Sequence, residues 1–227
     1  MCGRFSFVSS KEKVRRQMGL LNLSAELVGS YNIAPTQLAY VLSQKDVSTL
    51  VQMRWGMTPY WANSLALGDN LFNARVEGIQ SKSSFRMPIR RSRCVVVADS
   101  FYEWKHYGSY SYEKQPYRIL PADGSLLLMA GISDVWVDPQ TGIEHESFAI
   151  LTTEANDYIK SMNNRMPVIF EDMSSVHAWL LKELPLAKVL DMLLAASEGF
   201  LKSYPVSNDL DSIHVDDELL HKPVEAK

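Results

Sequence analysis

Short runs of strand-forming residues, each cut off by glycine, proline, asparagine or aspartate, constrain this chain most. Ala39–Ser43, Thr49–Trp55, Cys94–Ala98, Phe101–Lys105, Tyr117–Leu120, Leu126–Ile132 and Phe148–Thr152 crowd β-branched, aromatic or apolar residues into four to seven positions. Asp123-Gly124 between two of these runs is a hairpin signal. Helical patterns are fewer. Ser9-Ser10 can cap a short helix through Met18. Glu154–Ser161 predicts a turn or two. Asp172–Lys182 and Leu186–Ser197 predict amphipathic helices, the second after Pro185. Strands separated by turns rather than by long helices predict an α+β fold: a compact, β-rich single domain over residues 1–227, with a mixed or antiparallel sheet core and peripheral helices.

Composition narrows the chemistry. The 227 residues are 46% hydrophobic, enough for a sizeable core. There are two cysteines, Cys2 and Cys94, and five scattered histidines, with no zinc-ligand spacing, so no metal is expected. No GxGxxG or Walker pattern is present, so no cofactor, and no nucleotide in particular, is expected. Neither a transmembrane run nor a signal peptide is evident, and the expectation is a reduced, cytoplasmic protein with no membrane partner. The net charge is −3. Residues 78–98 nevertheless hold Lys82, Arg86, Arg90, Arg91 and Arg93 and no acid. A near-neutral average can hide a basic face.

Cys2 is the residue with the most distinctive chemistry. Removal of Met1, which a residue as small as cysteine permits, would leave an α-amine and a thiol on adjacent carbons. With ordinary pKa values of about 8 and about 8.5, both are partly unprotonated near neutrality. Together they can trap an aldehyde as an imine and then as a thiazolidine. The thiol alone could serve acyl transfer, with the amine as its base.

Other polar residues stand in odd places. In Phe101-Tyr102-Glu103-Trp104-Lys105, alternation puts Phe101, Glu103 and Lys105 on one face and Tyr102 and Trp104 on the other. On an inner face Glu103 would be costly unless partnered, and its pKa would rise, as suits a general acid/base; on an outer face it would be solvated. Asn32 and Asn73 read singly as turn residues. Arg165 can pair with a phosphate or with a surface acid. The aromatics of Arg54–Trp61 suit base stacking, with at least one tryptophan reserved for the core.

Taken in order, the blocks MCGRF (1–5), YNIAP (31–35), RWGMTPYW (54–61), FNARVE (72–77), ADSFYEWK (98–105), MAGI (129–132), ILTTEAN (150–156), NRMP (164–167) and YPVS (204–207) resemble the SOS response-associated peptidase (SRAP) family. The resemblance implies a β-rich α+β domain that senses abasic sites in single-stranded DNA. It implies that Cys2 forms a thiazolidine crosslink shielding the lesion, with autoproteolytic removal of Met1. By motif, Cys2 is the nucleophile and Glu103 handles protons around the imine. Asn73 and Thr152 contact the sugar and adjacent backbone, Arg4 and Arg75 hold phosphates, and the loop ending at Trp61 packs against a flanking base. Lys82 is a further basic position, and Asn32 and Arg165 join the candidate DNA contacts. Asn163 stands where the family has a histidine that helps open the sugar and reverse the crosslink. A carboxamide cannot shuttle a proton, so Asn163 predicts slower or altered chemistry. After YPVS the family commonly has Val-Asn, whereas Leu210-Asp211 follows here, an acid expected to weaken DNA contacts. The expected assembly is a monomer, nucleoid-associated on damage. Two rivals stand beside this reading. One is an N-terminal-cysteine amidohydrolase, whose later motifs are absent; the other is a non-catalytic single-stranded-DNA-binding module.

Overall fold

The computed structural model describes residues 2–20, 26–107 and 114–226. Its strands are β1 (Phe5–Phe7), β2 (Ser30–Ile33), β3 (Leu38–Ser43), β4 (Leu50–Trp55), β5 (Asn73–Arg75), β6 (Arg93–Ala98), β7 (Ser100–His106), β8 (Lys114–Pro121), β9 (Leu127–Val137), β10 (Glu144–Glu154), β11 (Arg165–Pro167), β12 (Ile169–Phe170) and β13 (Leu201–Pro205). The helices are α1 (Lys11–Met18), α2 (Pro88–Arg91), α3 (Asp157–Lys160), α4 (Met173–Leu180) and α5 (Leu186–Asp191). This is the expected β-rich α+β architecture.

One sheet runs in the order β13-β8-β7-β1-β2. In the other, β10, β4, β3, β6 and β9 pair successively, and β9 pairs back to β10, closing a ring. Strictly alternating strand directions cannot close an odd-numbered ring, so one neighbouring pair must be parallel. That pair is β4–β10, with Arg54 opposite Ser147 and Trp55 opposite Phe148. Strand β10 is long enough to serve several partners. It takes β9 and then β11 antiparallel, and β4 and then β5 parallel. One apolar cluster spans both sheets, from Phe5, Phe101 and Ile119 to Trp55, Val96, Phe148 and Trp179.

The helices follow their caps. Ser10 accepts a hydrogen bond from Lys13 N–H at the start of α1, which ends at Gly19 in the left-handed region. Asp172 caps α4 in the same way, and Val176, Trp179 and Leu180 pack inward. Helix α5 ends at Asp191 instead of running to Ser197. Tertiary hydrogen bonds draw the next residues off the helical path: Asn156 Nδ2 donates to Ala196 O at 3.0 Å and Ser197 N–H to Glu171 Oε1 at 2.6 Å.

Asp123-Gly124 forms a tight turn, with Gly124 at φ +76° and its N–H on Pro121 O at 3.0 Å. It does not make the expected hairpin. Strand β8 pairs with β7 and β13 while β9 belongs to the ring, so the turn passes the chain between sheets. Among the described residues, no helix is long and apolar enough to cross a membrane.

Candidate active site

Cys2 leads into β1, which lies between β7 and β2. Phe5 is opposite Phe101, and Tyr102 N–H donates to Arg4 O at 3.0 Å. Continuing that antiparallel register carries Gly3 and Cys2 alongside Glu103 and Trp104. Side-chain alternation in β7 is as the sequence predicts: Phe101 joins the main core, while Tyr102 and Trp104 pack with Val206 and Leu210 on the other face. Glu103 is therefore on the inner face, 3% exposed. Burial pushes its pKa upward, against the pull of the Asn163 hydrogen bond. Cys2 is fully buried. Burial, and then the charge of Glu103, push its thiol far above the ordinary value.

The surrounding side chains arrive from distant segments. Asn73 opens β5, and its Nδ2 donates to Cys2 O at 2.6 Å. Asn163 Nδ2 donates to Glu103 Oε2 at 2.9 Å, and its Oδ1 accepts from Arg165 N–H at 3.1 Å. The Arg165 guanidinium forks onto Glu77 at 2.6 and 2.9 Å and also donates to the Thr152 carbonyl. Strand β10 is the spine of this arrangement. It sets Asn73 opposite Ile150, Arg75 opposite Thr152, and Arg165 opposite Glu154. Three buried atoms here, Arg4 Nε, Asn73 Oδ1 and Arg165 Nε, have no hydrogen-bond partner among the described residues. Orphaned polar atoms around a buried nucleophile are what a ligand site presents before its ligand arrives.

Cys2, Glu103, Asn73, Asn163, Thr152 and Arg165 are thus joined by strand register and hydrogen bonds. Arg75 is exposed on β5 and Lys82 is exposed in the turns that follow. Arg4 is half-buried; burial lowers its pKa and the charge of Asp211 opposes that fall. Trp55 is a core residue whose Nε1 donates to Phe72 O at 2.8 Å. Tyr60 and Trp61 are 64% and 45% exposed. Their loop is tied down by Tyr60 N–H on Asp134 Oδ2 at 3.0 Å and Trp136 Nε1 on Ala62 O at 2.7 Å.

Two residues hold places that differ from a surface contact. Asn32 is buried, and its amide donates to the carbonyls of Ser212 and Val215 at 2.9 Å, fastening the C-terminal segment over β2. Arg93 leaves the basic stretch for the interior. It donates to the carbonyls of Trp179 (2.7 Å), Leu181 (2.6 Å), Ile89 and Arg90 (both 3.2 Å), which satisfy a fully buried cation. Glu77 closes the FNARVE block but has no role assigned to it from the sequence.

Among the described residues, no three His, Cys, Asp or Glu side chains are grouped to hold a metal ion. What the site has is a buried carboxyl of raised pKa near a thiol, linked through Asn163 to Arg165, whose guanidinium is paired with Glu77.

Comparison with known proteins identifies the family. A family model described as SOS response associated peptidase (SRAP) matches residues 1–213. The chain is 37% identical over 172 residues to the abasic site processing protein YoaM of Bacillus subtilis, covering 74% of each chain. It is 31% identical over 228 residues to the abasic site processing protein HMCES of Gallus gallus, covering 86% of this chain and 66% of that one. A crystal structure of a Bacteroides thetaiotaomicron protein matches with a TM-score of 0.87 at 27% identity, over 98% of this chain and 100% of that one. The chain belongs to the SOS response associated peptidase family.

Proposed function

We propose that this chain processes abasic sites in DNA by covalent capture. Removal of Met1, which lies outside the described residues, frees the Cys2 amine. The amine adds to the aldehyde of the ring-opened deoxyribose, and loss of one water leaves an imine. The thiol then adds to the imine carbon, its proton ends on nitrogen, and a thiazolidine closes. The amine acts first because burial and the charge of Glu103 keep the thiol protonated. Glu103 as an acid protonates the departing hydroxyl, and as a carboxylate it relays the thiol proton. Its raised pKa brings both forms closer to neutral pH.

Asn73 fixes the backbone of Cys2 through its carbonyl. Arg4, Arg75, Lys82 and Arg165 grip phosphates, Thr152 lies along the sugar, and Trp61 stacks on a neighbouring base. A single strand supplies the unpaired, accessible lesion; the protein acts as a monomer without a cofactor, and the adduct shields the lesion from cleavage. Asn163 donates to Glu103 but has no titratable proton. Crosslinking therefore proceeds with one proton carrier, Glu103.

The observation that carries this reading is a buried carboxylate of raised pKa set against the N-terminal cysteine. A denaturing gel of the protein with an abasic single-stranded oligonucleotide tests it. The expected result is a heat-stable shifted band that disappears with Cys2→Ala. The titration-incapable Asn163 favours one other reading, a module that binds DNA without chemistry. Binding in a native assay with no covalent band from wild type would establish that reading instead.

A further inference from the structure

Two carboxylates hold cations, Arg165 of this site and Lys114 of β8. Glu77 holds the Arg165 guanidinium through two hydrogen bonds, at 2.6 and 2.9 Å, in the geometry a phosphate would use. Its side chain is 57% exposed, so it can leave. Asp211, in the 3-10 turn Asn208–Asp211, accepts from Lys114 Nζ at 3.0 Å and Trp104 Nε1 at 2.9 Å. Its charge also reaches Arg4. The two acids come from separate segments, after β5 and after β13; Glu77 meets Arg165 of β11, and Asp211 meets Lys114 at the start of β8.

An aminothiol in water reacts with any aldehyde that reaches it. A site that must discriminate needs something only the right aldehyde brings. We infer that Glu77 and Asp211 are specificity-determining residues, internal stand-ins for phosphate that must be displaced before Cys2 is reached, so that the site admits an aldehyde carried on a polyanion and resists one that is not. This inference rests on the proposed reaction with abasic DNA. A strand offers several phosphates at fixed spacing and can replace both carboxylates at once. A free sugar has no phosphate, and a sugar phosphate carries too few to replace both. The ion pairs also keep the cationic forks ordered in the empty site, and their exchange for phosphate adds the like-charge repulsion of each expelled acid to the cost of binding.

Affinity is read by fluorescence anisotropy with a single-stranded oligonucleotide bearing a tetrahydrofuran abasic analogue, which has no aldehyde and cannot crosslink. Glu77→Gln and Asp211→Asn are each expected to tighten binding about tenfold at low salt. Each should steepen the salt dependence, because one more uncompensated cation meets the phosphates. Glu146→Gln, which removes the same charge from the far end of β10, should change affinity less than about twofold. Labelling of Cys2 by 2-deoxyribose 5-phosphate, followed by mass spectrometry, should quicken in the double variant relative to wild type. Unchanged or weaker binding by Glu77→Gln, or an equal gain from Glu146→Gln, overturns the inference. If that occurs while wild type still crosslinks an abasic strand, the stand-in role fails and the proposed reaction survives. If wild type neither binds nor crosslinks DNA, both fail.

Discussion

Cys2 and Cys94 are both free, both fully buried, and both have thiols pushed well above their ordinary pKa by desolvation. Their surroundings differ completely. Cys94 stands in the wall of the five-strand ring opposite Gly131, where an added Cβ would lie 2.8 Å from its sulfur. Burial alone accounts for its shift. Cys2 feels a carboxylate and has its carbonyl held by Asn73, whose buried Oδ1 has no hydrogen-bond partner among the described residues. Burial therefore says little about whether a cysteine reacts. What separates the two is a carboxylate close enough for its charge to be felt, present at Cys2 and absent from the causes of the Cys94 shift.

The sharpest way to break the comparison is to remove each sulfur in turn. Cys2→Ala should abolish the covalent band with abasic DNA, and Cys94→Ala should leave it. A surviving band in the first variant, or a lost band in a folded second variant, would erase the distinction. Next in size is Glu103→Gln, expected to slow crosslinking about 10²–10⁴-fold. Stability should move the other way. The folded pKa of Glu103 lies above its ordinary 4.5, so its contribution is fully present below that pH and is lost as pH rises through the folded value. Glutamine never ionises, so the variant should melt higher than wild type at pH 8, with the gap closing near pH 4. A calorimetric gap that does not depend on pH would contradict this.

Asn163→His restores a titratable group against Glu103. Formation or reversal of the adduct should accelerate, by up to about 10²-fold. Equal rates in a time course would show that Glu103 alone suffices. The smallest effect belongs to the other cysteine: Gly131→Ala should cost about 1–3 kcal/mol in denaturant unfolding through overpacking on Cys94, leaving crosslinking untouched.

The long strands were legible because their own residues specify them. The apolar run Cys94–Ala98 lies within β6, and alternation in Phe101–Lys105 put Glu103 on the face of Phe101, while which face is inner came only from the structure. The short ones were not, since their partners make them. Asn73-Ala74-Arg75 reads as a loop and becomes β5 only because Ile150–Thr152 lies alongside. The same holds for β1 and β11, which carry Cys2 and Arg165 to their places. Asp123-Gly124 misleads because a turn signal fixes local geometry and not the sheet that the next strand joins. The site is harder still: Asn73, Glu103, Asn163 and Arg165 are scattered in sequence, and family resemblance rather than spacing pointed to them. Nothing local distinguishes Arg93 from its exposed neighbours; its burial depends on carbonyls of α4 and the residue after it. Nor does anything local mark Glu77 as the partner of Arg165.

The parallel pairing of β4 with β10 has a kinetic consequence. It joins segments far apart in the chain, and ring closure waits for it, so loop-closure entropy must be met before much of the ring is stabilised. Topologies dominated by such distant pairings fold in milliseconds to seconds, and not in microseconds. Strand β10 is also the spine that gathers Asn73 and Arg165. A chain halted before that closure carries Cys2 without the neighbours that β10 sets in place, Asn73 on β5 and Arg165 on β11.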